Sequence, residues 1–462
     1  MEDEVVIASS STEAGIGCWH LRSGAEHLRY RSCASPSHGL VSVAGRFLVS
    51  SQLRDSSSGS VLSWSWNKPQ IEVKSFPAEA INPLACNSDG TYIVGGGVSG
   101  DIYLWEVATG RLLKKWHGHY RAVTCLVFSN DQSLLISGAE DGSVRVWSLL
   151  MIFDEERQQR SGHLYEYSFS EHALPVTDIV TGYGGCNAII ISASQDRTCK
   201  VWSLARGTLL RNIVFPSMID AIALDPGEHV FYAGGRDGKI YIAELNAQGT
   251  SNNNYGLHII GTLSDQGKGI CSLAFALDGS QLVAGSEDGM VRVWDTKTHN
   301  IIRVFKHAKS ICFFPNLLVL VSSGPVNNVL VIRQPPALYP RTAANNQGSM
   351  ARRHVPLPPP LEKYTSIDEH SELNAFITPQ PNCDRLYDAT YTTVHSMNNQ
   401  INELQHGSSG ASEMEMERLK LDCKRSMQMV EQWKKMYENL HQFCVGELLN
   451  GEADDANLTL TS

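Results

Sequence analysis

The run LLISGAEDGSVRVW, from Leu134 to Trp147, decides the fold. Leu134-Leu135-Ile136-Ser137 and Val144-Arg145-Val146-Trp147 read as two short strands, joined through Glu140-Asp141-Gly142. Period-2 alternation around Asp-Gly is a tight-hairpin signal, because the alternation buries one face and glycine accepts the backbone of the turn. The ending of the second strand recurs along the chain. Its counterparts are GIGCW to Trp19, GSVLSW to Trp64, GDIYLW to Trp105, DRTCKVW to Trp202, DGKIYIA to Ala243 and DGMVRVW to Trp294. Successive signatures stand roughly 40 to 55 residues apart, the spacing of one four-stranded unit.

A single four-stranded antiparallel sheet cannot bury both faces, so such units stack on one another. Closing the stack into a ring removes the exposed sheet edges. The predicted fold is therefore all-β: a seven-bladed WD-repeat β-propeller over residues 1–333. A Pro-rich and polar flexible linker follows over 334–410, then a C-terminal coiled-coil helix over 411–450 and a disordered tail over 451–462. Only three strand candidates precede the second blade, so Lys309 to Phe314 is expected to complete the first and latch the ends. An eighth blade stays open, because Leu317 to Ser323 and Val329 to Ile332 also read as strands.

Within the fourth unit, His119, Ser137, Asp141 and Trp147 stand where WD repeats place a buried hydrogen-bonded relay. Asp141 is expected to hold the turn and accept from His119, and Ser137 to link His119 to the Trp147 indole. The fifth unit repeats the set with His172, Ser192, Asp196 and Trp202. The seventh keeps Asp288 and Trp294 but lacks the histidine, and the sixth keeps Asp237 with Ala233 and Ala243. A nucleophilic triad also uses Ser, His and Asp. Recurrence in successive blades argues for structure, since a catalytic triad is single and opens onto a cleft.

Other motifs have plain readings. Gly95, Gly97 and Gly100 match G-x-G-x-x-G, but they lead into the strand Asp101-Ile102-Tyr103-Leu104-Trp105, whereas a dinucleotide site needs a helix there. Trp116-His117-Gly118-His119 lacks the second ligand pair of a tetrahedral metal site. No catalytic residue, cofactor or metal site is expected.

The chain has 462 residues, 42% hydrophobic and 19% charged, with a net charge of −10, which argues against a broad electrostatic grip on nucleic acid. Its 11 cysteines show no metal spacing and mostly lie in apolar runs, as reduced thiols of a cytosolic or nuclear protein do. The acidic start has no apolar h-region, and Ile311 to Val321 is too short to span a bilayer, so neither a signal peptide nor a membrane is expected.

Met151 to Tyr167 is longer than a blade connection needs, and Gln248 to Asn254 reads as a polar insertion. Pro335-Pro336, Pro340, Pro356 and Pro358-Pro359-Pro360 mark an extended linker. From Glu413 to Leu449, Met416, Leu419, Cys423, Ser426, Val430, Trp433, Tyr437, Leu440 and Cys444 alternate three and four apart. That is a heptad seam, imperfect at Ser426. It is read as a dimerisation seam pairing two copies in parallel; the competing reading folds the helix back on its own propeller.

The stretch His172-Ala173-Leu174-Pro175-Val176-Thr177-Asp178, with Gly182-Tyr183-Gly184-Gly185 and Ser194-Gln195-Asp196, narrows the resemblance. So does Leu104-Trp105-Glu106-Val107-Ala108-Thr109-Gly110-Arg111-Leu112-Leu113 with His119-Tyr120. Together with the propeller, linker and seam, these resemble the plant branch of one family: the WD-repeat subunit of the Rix-type (PELP–TEX–WDR) complex on maturing large ribosomal subunits. The resemblance implies a non-catalytic scaffold in the nucleolus and nucleoplasm. Its implied partners are the other complex subunits, the pre-ribosomal large subunit and an AAA-type remodelling ATPase. It further implies support for pre-rRNA spacer removal and, in plants, for meristem development and root initiation. A substrate receptor of a cullin-type ubiquitin ligase is the alternative, carried by one loose box, Trp294-Asp295-Thr296-Lys297.

Overall fold

Seven four-stranded antiparallel sheets follow one another along the chain. The computed structural model describes residues 3–52, 59–153, 164–245, 258–265, 267–307, 310–314, 317–321, 324–339 and 357–365, the two short runs 310–314 and 317–321 as backbone only. The linker residues 340–356, the helical seam over 411–450, the insertion 248–254 and most of the loop after Phe153 lie outside the described residues.

From the inner strand outward, blade 4 consists of Val123–Phe128, Leu134–Ala139, Val144–Ser148 and Tyr165–Phe169. The hairpin read from LLISGAEDGSVRVW is its middle pair, in register Ile136↔Val146. Blade 5 repeats the order with Val176–Thr181, Ile189–Ser194, Thr198–Ser203 and Thr208–Val214. In blade 3 the strands are Ile81–Cys86, Tyr92–Gly97, Asp101–Glu106 and Leu112–His117. Blade 2 has a short outer strand, Val73–Ser75, beside Ser60–Ser65. The pairing of first and second strands slips by a bulge in blades 4 to 7, for example at Val123/Cys125 and Val176/Asp178. Such bulges steepen the strand twist, which a ring of radiating sheets needs.

Ring closure corrects the sequence reading in one place. Glu4–Ser10, Ile16–His20 and Glu26–Tyr30 supply three strands of blade 1, as expected, but the inner strand is Val326–Arg333. It pairs along Glu4–Ser10 from Glu4↔Arg333 to Ser10↔Val326. Ser310–Phe314, expected to be the latch, instead folds back on Leu317–Val321 as a separate two-stranded hairpin. The physical reason is proximity: with only two residues between them in sequence, 310–314 and 317–321 pair locally, leaving the later alternating run for the long-range partner. That run also carries Asn328, whose amide donates to Ser9 Oγ and the Pro36 carbonyl from blade 1's neighbour loop. The ring has seven blades, and no eighth four-stranded sheet forms among the described residues.

The core lies between blades. Trp64, Trp105, Trp147 and Trp202, all from third strands, are the largest fully buried side chains. Trp202 stacks on Phe169 of the preceding blade at 4.3 Å and 17°. Such a pair adds roughly 0.5–1.5 kcal/mol beyond its buried area. No helix among the described residues is long and apolar enough to cross a membrane.

Candidate functional site

Blades 4 and 5 carry the expected relay, with one difference in wiring. In blade 5 the His172 Nδ1–H donates directly to Asp196 Oδ2 at 2.9 Å. The other ring nitrogen meets the Ser192 hydroxyl at 2.9 Å, and Ser192 Oγ accepts the Trp202 indole N–H at 2.9 Å. In blade 4, Ser137 joins His119 (2.6 Å) to the Trp147 indole (2.8 Å) in the same way. There the histidine does not reach its aspartate: His119 Nδ1 lies 3.6 Å from Asp141 Oδ1, and Ser143 bridges the gap, 2.8 Å from the ring and 2.6 Å from the carboxylate. The expected direct His119–Asp141 bond is thus replaced by a serine-mediated one.

These groups are tuned by burial and by each other. Burial pushes the Asp196 carboxyl up, but hydrogen bonds from His172 and Thr198 outweigh it and hold the group well below the usual carboxylate range. Asp141 is likewise held low against burial, by the nearby His119 ring and by hydrogen bonds from Ser143. Burial lowers His119, which disfavours the protonated ring. Geometrically, Asp196, His172 and Ser192 have the spacing of a nucleophilic triad. Ser192 is 0% exposed and its oxygen already accepts from Trp202, so no substrate carbonyl can approach it.

Blade 7 does not build the relay. Ala284 stands where blade 4 has Ser137, so the Trp294 indole N–H is buried without a partner among the described residues. Asp288 is held instead by Arg292 (2.7 Å), whose guanidinium also binds Ser286 and Asp265 at 2.7 Å each. Asp295 of the Trp294-Asp295-Thr296-Lys297 box serves its own turn, accepting from Lys297 N and Thr298 Oγ1. In blade 6, Asp237 takes the Tyr241 hydroxyl at 2.6 Å.

Blade 3 solves the same problem in a way the sequence did not reveal. Gly95 holds the register position of Ser137, with the Trp105 ring packed against it. Tyr103 stacks on Trp105 at 5.5 Å and 11°, and its hydroxyl donates to Glu79. The Trp105 indole N–H donates to the backbone carbonyl of Glu362 at 2.9 Å, 257 residues away. Residues 357–362, read as flexible linker, lie against blades 2 and 3. The one available signal was the pair Leu357 and Leu361 flanking three prolines in an otherwise polar segment.

The ring opens on one face into a cavity of about 690 Å³ lined by Asn82, Thr124, Glu140, Arg236, Lys268 and Glu287, among others. Within the ring, His38 of the loop before blade 2 reaches blade 5, bonding the Thr177 carbonyl at 3.0 Å and lying 3.7 Å from buried Asp178. His117 is an exposed strand-end residue bonded to Asp101, and Gly100 sits in a strand-to-strand turn at φ 93°. No cluster with metal-ligand composition occurs among the described residues.

Comparison with known proteins places this geometry. The model for the WD domain, G-beta repeat, matches residues 110–148, 164–203 and 258–295. The chain is 53% identical to Protein ROOT INITIATION DEFECTIVE 3 of Arabidopsis thaliana over 96% of its own length and 98% of the relative. It is 32% identical to human WD repeat-containing protein 18 over 72% and 73% of the two chains. With Pre-rRNA-processing protein crb3/ipi3 of Schizosaccharomyces pombe it shares 26% identity over 53% and 64%.

Proposed function

The chain belongs to the family of WD-repeat proteins that includes ROOT INITIATION DEFECTIVE 3 and WD repeat-containing protein 18, and from that membership we propose that it is a scaffold of ribosome assembly. It serves maturation of the large ribosomal subunit and pre-rRNA processing, with a role in root initiation and meristem development. The observation that carries this reading is near full-length similarity to the Arabidopsis protein, joined to the pre-rRNA-processing name of the yeast relative. The structure supports a non-catalytic role: the recurrent Ser, His and Asp sets are buried inside blades, where they satisfy tryptophan N–H groups.

Its partners are the subunits of a Rix-type complex, the pre-ribosomal large subunit and an AAA-type remodelling ATPase, and it works in the nucleolus and nucleoplasm. Two copies pair through Leu419, Cys423, Val430, Trp433, Tyr437 and Leu440 of the C-terminal heptad seam.

Sedimentation of a nuclear extract containing the tagged chain tests the scaffold. Co-migration with large-subunit precursors and their assembly factors is expected; confinement to light fractions without precursors overturns the reading. Removing residues from 411 onward should halve the mass in solution, and an unchanged oligomeric state would refute the pairing.

A further inference from the structure

A segment of the chain itself occupies a groove that the ring leaves unfinished. In blades 5 and 1, the third-to-fourth-strand turn is covered by an aromatic side chain from the preceding blade's outer strand. Tyr167 of blade 4 lies over Gly207 of blade 5, and Phe305 of blade 7 lies over Gly24 of blade 1. Those outer strands are five and six residues long. Blade 2 ends in Val73–Ser75, three residues, and the atoms nearest a Cβ at Gly110 of blade 3 come from outside it. Residues 357–362 fill the place: a Cβ at Gly110 would stand 2.6 Å from the Pro360 carbonyl oxygen and 3.2 Å from Pro359.

The segment binds as a peptide ligand does. Pro358 and Leu361 are buried and Pro359 and Pro360 exposed, the three-residue period of a polyproline helix laid on a surface. Leu361 is 8% exposed in the cluster of Val61, Ile81, Trp105, Val107 and Leu112. Prolines offer no N–H, so the polar contacts fall at the end of the run. Leu361 N–H donates to Ser75 Oγ at 2.9 Å, Glu362 N–H to the Gly110 carbonyl at 2.8 Å, and Glu362 O accepts from Trp105. The groove thus reads two features, an anchor leucine after a proline run and a free carbonyl one residue later.

We propose that the seam between blades 2 and 3 is a binding site for extended, proline-stiffened peptides with a leucine anchor, and that residues 357–362 are its resident ligand. A peptide of the same chemistry in trans binds only by displacing them. Because the resident segment belongs to the same chain, it competes at an effective concentration of roughly millimolar order. The occupant the groove fits is thus the chain's own segment 357–362, and a partner's proline-stiffened segment with a leucine anchor is the ligand that competes with it.

A labelled peptide of residues 355–366 tests this on the full chain by fluorescence anisotropy. Leu361→Asp removes the resident anchor, and the peptide should then bind at least about tenfold more tightly than to the unaltered chain, a difference of about 1.4 kcal/mol. The same peptide carrying aspartate for its anchor leucine should not bind. Leu361→Ala gives the same order with a smaller difference, should the aspartate variant fail to fold. Equal binding to altered and unaltered chains, or no binding to a variant that still melts cooperatively, overturns the proposal.

Discussion

Blade 5 and blade 3 each bury a tryptophan at the same strand position, one satisfied from within its own blade and the other from a segment beyond the ring. Trp202 bonds Ser192, ten residues earlier and one strand over, while Trp105 bonds the Glu362 carbonyl. An unpartnered buried N–H costs roughly 1–3 kcal/mol, so neither blade leaves it open. The difference teaches that a repeat need not be self-sufficient. Where Gly95 removed the local hydroxyl and the neighbouring outer strand shortened, a segment beyond the ring supplied acceptor and cover together.

Substitution can break this comparison at either end. The largest effect belongs to the rings themselves: Trp202→Ala and Trp105→Ala should each destabilise by about 3–5 kcal/mol in denaturant unfolding. Only Trp105→Ala should also open residues 357–365 to limited proteolysis; equal cleavage in both variants would sink the distinction.

Next comes Leu361→Ala, expected to cost about 2–3 kcal/mol. Hydrogen exchange should report the loss at blades 2 and 3 and leave blade 5 protected. Uniform loss of protection around the ring would mean that the segment is not a local cover.

Ser192→Ala should cost about 1–3 kcal/mol, since it leaves both the Trp202 N–H and the His172 ring nitrogen unpaired. Combined with His172→Phe, the double variant should fall short of the summed single losses, because the groups share one chain of bonds. Strict additivity would show that the relay is not cooperative.

The smallest effect is on acid stability. Asp196 and Asp141 are held below their ordinary range in the fold, so the stability they contribute is present above about pH 4 and is lost as pH falls through the carboxylate range. Buried His307, lowered by burial to about 4, adds a loss that begins as pH drops below about 6.5, where the unfolded chain takes up the proton first. Asp196→Asn should therefore be less stable at neutral pH and show a shallower decline below pH 5. Parallel melting curves for the two chains across pH 3–7 would refute the role of Asp196.

The relays of blades 4 and 5 were legible because their members are local and side-chain specific. His172, Ser192, Asp196 and Trp202 fall within about one repeat, and each residue type is required by the bond it makes. Ser143 was missed as the bridge to Asp141 because a serine two residues after the turn is common in such hairpins, and only the placed ring shows the 3.6 Å gap. Arg292, which displaces the relay in blade 7, looks in the sequence like any exposed residue of an alternating strand.

By itself the sequence determined the all-β ring, its blade order and the Trp–Ser–His links of blades 4 and 5, since all of these follow from period-2 alternation and turn chemistry over short distances. It did not determine which apolar run closes the ring, because 310–314 and 326–333 carry the same alternation and only pairing in space chooses between them. Nor did it show that residues 357–362 belong to blade 3. The decisive bond there is made by a backbone carbonyl, which every residue possesses, so no side-chain pattern could announce it before the chain was folded.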